Sequence, residues 1–201
     1  YTGISAIDIT DVGNQTRDIH FIITQLLANK NLSALIDKSK IATVGHSLGA
    51  VTSYFTSFGS GVRDPRIKAT ELIGAGDPVQ AALATGMGLT GTWHVPAPVP
   101  VLFLTGEFDP FALINGRPYA AYMRLEKPKY EVMIKGGVHI WFRDGTDIPA
   151  DGSNPDCAML AGFRPDVVLP GCEKGVKLIT PLQQQEITRI AVRNFLDSYL
   201  K

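Results

Sequence analysis

The chain has no surplus charge of either sign, few cysteines and no long apolar run, and each shortage removes a class of function. Lys+Arg 19 and Asp+Glu 19 cancel over 201 residues. Without a basic or acidic field, binding to nucleic acid or an anionic membrane surface is not expected. No stretch reaches the roughly 18–20 apolar residues of a membrane helix, so no transmembrane segment is expected. With only 4 histidines and 2 cysteines, no His/Cys/Asp group has metal-ligand spacing, and neither a metal nor another cofactor is expected. Internal repeats and low-complexity tracts are missing. So is a basic-then-apolar leader at Tyr1, which reads as a signal peptide removed or never present. What is plentiful is apolar residues (45%) together with Gly 20 and Pro 13. They describe a globular core crossed by many turns, in a single domain over residues 1–201.

The apolar pattern alternates between short β-branched runs and helical periods. The first fifteen residues read as loop. Ile19, Ile22, Ile23, Leu26 and Leu27 then fall at i, i+3, i+4, i+7 and i+8 as one helical stripe. Four strand-like runs follow at 41–44, 70–73, 101–104 and 130–134, with helices expected at 48–58, 78–85 and 111–126. Strands alternating with helices imply crossovers and a parallel sheet covered on both faces. The last helix is marked by Thr180 as cap, Pro181 at the first position and Gln183 completing a capping box. Its buried stripe is expected to be Ile187, Ile190, Ala191 and Phe195. The Gly/Pro/Asp-rich stretch 143–177 before it reads as a long loop.

Chemistry enters at Gly45-His46-Ser47-Leu48-Gly49, directly after the first strand and opening a helix. A serine on so sharp a turn exposes its hydroxyl above the strand's carboxyl end, and small neighbours at 45 and 49 let strand and helix approach. Ser47 is the candidate nucleophile, and the Leu48 N–H points to where an oxyanion would form. A serine hydroxyl needs a base and the base an orienting carboxylate, in the chain order Ser, acid, His. Asp109, after the third strand, and His139, after the fourth, satisfy that order. Asp77 and Glu107 are rival acids. Of the other histidines, His20 reads as a surface residue, His46 as structural within the turn, and His94 as lying at the wrong end of the sheet. Trp141, Phe142, Phe111 and Met87 are candidates for a substrate pocket, although Trp141 and Phe142 could instead pack beneath His139.

Gly-His-Ser-Leu-Gly at 45–49, Leu-Thr-Gly-Glu-Phe-Asp-Pro at 104–110 and Gly-Gly-Val-His at 136–139 together resemble the α/β-hydrolase superfamily. Within it they are most similar to the dienelactone-hydrolase and platelet-activating-factor-acetylhydrolase-like serine esterases. The resemblance implies an α/β-hydrolase fold, a parallel sheet flanked by helices, and a Ser47–His139–Asp109 triad acting on a small ester or lipid-like substrate. In such enzymes several strands precede the serine turn, and one carries the second oxyanion donor. Here Ser47 comes early, so the fold is expected to be N-terminally incomplete. Self-association or a complementary N-terminal chain is expected to cover the open sheet edge. A subunit active only with that chain, or a hydrolase-like module binding a hydrophobic ligand, are the competing readings.

Cys157 and Cys172 bracket 14 residues of the long loop. An even count without metal or C-x-x-C spacing reads as a disulfide, with two buried thiols as the alternative. A disulfide points to a secreted or extracytoplasmic protein.

Overall fold

The computed structural model of the chain describes residues 11–85, 96–114, 118–161 and 171–201. Met87 and His94 lie outside them. The elements run α1 (Val12–Ala28), β1 (Ile41–His46), α2 (Leu48–Phe58), β2 (Ile67–Ile73), α3 (Pro78–Thr85) and β3 (Val101–Gly106). Then come α4 (Pro110–Ile114), α5 (Tyr119–Arg124), β4 (Lys129–Ile134), α6 (Pro155–Ala161) and α7 (Pro181–Leu200). The four strands lie in sequence order β1-β2-β3-β4, every pair parallel. Each connection is therefore a crossover, as the alternation of strands and helices required.

The sheet is covered on both faces. One face packs Leu72 and Phe103 against Val51, Tyr54, Phe55 and Phe58 of α2, with Val12 and Ile23 of α1 in the same cluster. The other packs Ala69 and Leu102 against Phe195, and Ile73, Leu104 and Ile134 against Ala191 and Val192, all under α7. β3 is buried along its whole length, and its Val101–Leu104 stretch reads as a continuous apolar run rather than an alternation.

Four elements differ from the sequence expectation. Helix α1 starts at Val12, inside the presumed loop. Gly13 and Asn14 form helix poorly, but Val12 is fully buried and Asn14 Nδ2 donates to Asp11 Oδ1 to tie the first turn. Its stripe is only half used: Ile23 is buried, while Ile22 and Leu26 face outward. In α7 the buried line is Gln184, Thr188 and Phe195, with Ala191 half-buried beside it, and Ile187 and Ile190 are exposed. A polar residue takes the core position because both ends of its amide find a backbone partner there. The single helix expected at 111–126 is two, with Pro118 opening the second; a proline has no N–H to continue a preceding ladder. Finally, α6 stands inside the presumed loop. Asn154 Oδ1 accepts the Asp156 N–H at 3.0 Å and Pro155 takes the first helical position, a start signal the loop-like composition hid.

At the β1 edge no strand pairs on the outer side among the described residues, and Val44 is 49% exposed. A groove of about 290 Å³ opens there between α1 and α2, lined by residues that include Gln15, Ile19, Val44 and Gly49.

One core residue is costly. Glu71 sits in the middle of β2, fully buried, with Val44 and Leu102 as its lateral neighbours, and neither carboxylate oxygen has a hydrogen-bond partner. Burial pushes its pKa up from 4.5 to about 8, so the folded chain holds it protonated at neutral pH. The unfolded chain releases that proton near pH 4.5. Folding then binds one more proton than unfolding throughout the interval, so stability is full below pH 4.5 and falls as pH rises to about 8. Glu71→Gln keeps the shape without the titration. Thermal unfolding across this interval is expected to slope downward for the parent chain and to lose that component in the variant; parallel curves would refute the assignment.

Candidate active site

The Ser47 turn is built by a steric constraint between β1 and α2. Ser47 has φ 58° and ψ −122°, and it is the one non-glycine residue with positive φ among the described residues. Such a backbone costs about 1–3 kcal/mol and persists only where its surroundings enforce it. The Ser47 N–H donates to Ile73 O at 2.9 Å, which anchors the turn to the end of β2. A Cβ on Gly45 would stand 2.0 Å from Gly49 O, so strand and helix backbones meet where only glycine fits. Gly49 is different: a Cβ there would meet nothing within 4 Å. The close approach thus needs a bare residue at 45 and only a backbone at 49, which corrects the equal weight the motif suggests. Leu48 and Gly49 open α2, so their N–H groups have no intrahelical acceptor. Ser47 Oγ itself makes no hydrogen bond among the described residues.

His139 and Asp109 are brought together in the interior. His139 Nδ1 lies 2.8 Å from Asp109 Oδ2, with Asp109 fully buried and His139 3% exposed. The second oxygen, Asp109 Oδ1, accepts the N–H groups of Phe111 (3.0 Å) and Ala112 (3.1 Å) at the start of α4. Asp109 is therefore fixed on both sides. Gly74, at φ 61° after β2, passes so close beneath the pair that a Cβ would stand 3.0 Å from His139 Nδ1. The Ile73–Gly74 segment thus touches both the Ser47 backbone and the histidine ring.

The rival acids are occupied elsewhere. Asp77 Oδ1 pairs with Arg124 and accepts the Val79 N–H at 3.0 Å. Glu107 binds Lys135 and the Gly136 N–H, bracing the turn that precedes His139. His20 is a partly exposed partner of Asp64 at 3.1 Å.

His46 does more than fill the turn. Its ring lies 4.5 Å from the His139 ring, and Nε2 stands 3.2 Å from His139 O. A carbonyl only accepts, so Nε2 carries the proton. Burial and then the neighbouring His139 push the His46 pKa down to about 4, keeping it neutral. Three other groups were also missed by the sequence reading. Gln184 Oε1 accepts the Val138 N–H (2.9 Å) while Gln184 Nε2 donates to Val138 O (2.7 Å). Asp156 accepts the His139 N–H (2.5 Å) and the Ile140 N–H (3.0 Å). Asn154 Nδ2 donates to Phe108 O (2.9 Å). A glutamine on the buried line of α7 and an Asn-Pro-Asp helix start were the available signals.

Of the expected pocket residues, Phe111 places its ring 4.4 Å from that of His139. Phe142 is half-buried, 5.9 Å from the His46 ring. Trp141 is 1% exposed and its Nε1 donates to Asp147 O at 3.1 Å. It is thus a buried residue tied to the loop after it, in keeping with the alternative that its place beside His139 left open. Cys157 and Cys172 form a disulfide. No cluster of three metal-ligating side chains occurs among the described residues, and no helix there is long and apolar enough to cross a membrane.

The two glycines of the turn separate in a simple test. Gly45→Ala is expected to cost on the order of 1–3 kcal/mol by overpacking, and Gly49→Ala about 0.5 kcal/mol or less. Denaturant unfolding of both variants reads the difference, and equal losses would contradict it.

Neither a protein-family model nor a curated protein matches the chain. Solved structures do. A ferulic acid esterase from Streptomyces cinnamoneus superposes with a TM-score of 0.57 at 18% identity, covering 98% of this chain and 51% of that one. The α/β hydrolase GrgF from Penicillium sp. sh18 gives a TM-score of 0.45 at 14% identity, covering 66% of each chain. The chain thus spans about half the length of the Streptomyces esterase. Its parallel sheet, the strained serine between β1 and α2, and this likeness identify the fold as that of the α/β hydrolases.

Proposed function

We propose that the chain carries the catalytic groups of a serine carboxylic-ester hydrolase. The observation that carries this reading is the buried His139–Asp109 pair at 2.8 Å, packed on the same Ile73–Gly74 segment that anchors the strained Ser47. In the reaction, Ser47 Oγ attacks the acyl carbon and its proton passes to His139 Nε2. Asp109 holds the ring with Nδ1 protonated and stabilises the imidazolium that forms. The Leu48 N–H donates to the developing oxyanion at the positive end of α2. His139 then protonates the leaving alcohol. A water, deprotonated by the same nitrogen, releases the acyl group and restores Ser47. No cofactor is needed. Phe111 beside His139 and Phe142 beside His46 suit a small ester with an apolar acyl or alcohol part, or a lipid-like one. The disulfide favours an extracytoplasmic location.

A second reading rests on the uncovered β1 edge. Val44 is half exposed on a strand where only Gly45 is fully covered, and the Streptomyces esterase has about as much chain again. In this reading the 201 residues act only when a complementary segment, or a second copy, pairs with β1 and supplies the second oxyanion donor.

Labelling with a fluorophosphonate, read by peptide mapping, tests both. A stoichiometric adduct on Ser47 that His139→Ala abolishes is expected, and Asp109→Asn is expected to slow hydrolysis of an activated ester by roughly a thousandfold or more. An adduct formed only after mixing with the complementary segment favours the second reading. A folded protein that never labels, even so joined, would refute the proposal.

A further inference from the structure

Catalysis by a histidine needs more than a carboxylate on Nδ1; the main chain that carries the ring must also stay still. In this chain the polypeptide around His139 has a dedicated anchor. Asp156 Oδ2 accepts the His139 N–H at 2.5 Å and Asp156 Oδ1 accepts the Ile140 N–H at 3.0 Å. One fully buried carboxylate thus takes the first two donors of the short 3-10 turn Ile140–Phe142. Its helix also reaches the acid loop, because Asn154 Nδ2 binds Phe108 O, one residue before Asp109. The next residue after Asp156 is Cys157, whose disulfide to Cys172 ties α6 to the chain entering at Gly171. That chain is pressed on the acid loop: a Cβ on Gly171 would stand 2.6 Å from Phe108 Cβ.

Resting on the ester-hydrolase reading above, we propose that Asp156 is a positioning residue that sets His139 against Ser47, and that the Cys157–Cys172 disulfide holds Asp156 in place. Asp156 acts through the backbone of His139 and touches neither substrate nor the reacting atoms. Two N–H donors converge on it, so a carboxylate with two acceptor oxygens satisfies both. An asparagine could satisfy one and would turn its own donors toward the other. Its charge also sits beside the base. The titratable groups near it are His139 and Asp109, and the His46 ring lies 4.5 Å from that of His139. Burial raises the Asp156 pKa to about 6, against the pull of the His139 N–H and the His139 ring, so at neutral pH the carboxylate is mostly ionised. A carboxylate beside an imidazole favours the charged ring in general, so removing its charge is the lever of the test.

The test compares parent, Asp156→Asn and a Cys157→Ser/Cys172→Ser pair in the full-length protein, each shown to be folded by circular dichroism. For Asp156→Asn the expected result is a fall in kcat on the order of 10- to 100-fold with KM little changed. NMR titration of the His139 ring is expected to give a lower pKa than in the parent. The serine pair is expected to lower kcat in the same direction, and to add little when combined with Asp156→Asn, since both act through one anchor. A folded Asp156→Asn protein with parental kcat and an unmoved His139 titration would overturn the proposal. So would full additivity of the two changes, for the disulfide part. If the parent hydrolyses no ester, the ester-hydrolase reading fails by itself. The His139 titration still decides whether Asp156 governs that ring. If the variant does not fold, reduction of the parent's disulfide under native conditions supplies the comparison. Unchanged kcat and unchanged His139 titration would then count against the proposal.

Discussion

The backbone of Val138 and His139 is the constraint on which the rest of the site depends. Its polar groups are met by side chains from distant parts of the chain. Gln184 of α7 takes both the N–H and the carbonyl of Val138, Asp156 of α6 takes the His139 N–H, and His46 of β1 donates to the His139 carbonyl. Asp109, beyond β3, then fixes the ring. A loop held in this way has little conformational entropy left to lose on any further ordering of the ring it carries. Three elements and the loop after β3 thus converge on two residues.

The sheet makes that convergence possible. Parallel strands in sequence order place every strand's carboxyl end along one rim, and in open α/β sheets ligand chemistry gathers at that rim. The Ser47 turn follows β1, the Gly74 turn follows β2, Asp109 follows β3 and His139 follows β4. Gly74 shows how tightly they meet: it passes under the histidine ring with no room for a side chain. Strain at Ser47 and the lone carboxyl of Glu71 are both unfavourable, and both are tolerated because apolar burial on the two sheet faces outweighs them.

What lies beside β1 follows from the same physics. Ile22 and Leu26 of α1 and Val44 of β1 are apolar and exposed, although the sequence pattern would bury the two helix residues. Periodicity reports which side of an element is apolar. It does not report whether another element covers that side, because covering is a property of the neighbours. The same limit explains α7, where Ile187 and Ile190 lie outside and Gln184 inside. A glutamine is worth burying only if its amide meets matching groups, and the Val138 peptide supplies them.

The residues themselves determined the strands, the order of serine, acid and histidine, and the capping box that opens α7. These rest on local physics: β-branched apolar runs, a glycine-flanked turn, and a cap three residues from its partner. The pairing of the two cysteines was also legible from their even count and the lack of metal spacing. Tertiary structure alone gave the two aspartates that follow strands different partners, His139 for Asp109 and Arg124 for Asp77. It alone brought Asp156 of α6 to the histidine loop, 17 residues away in the chain. Contacts of that separation leave no periodic trace, because the chain between them is free to take any pattern that lets its ends meet.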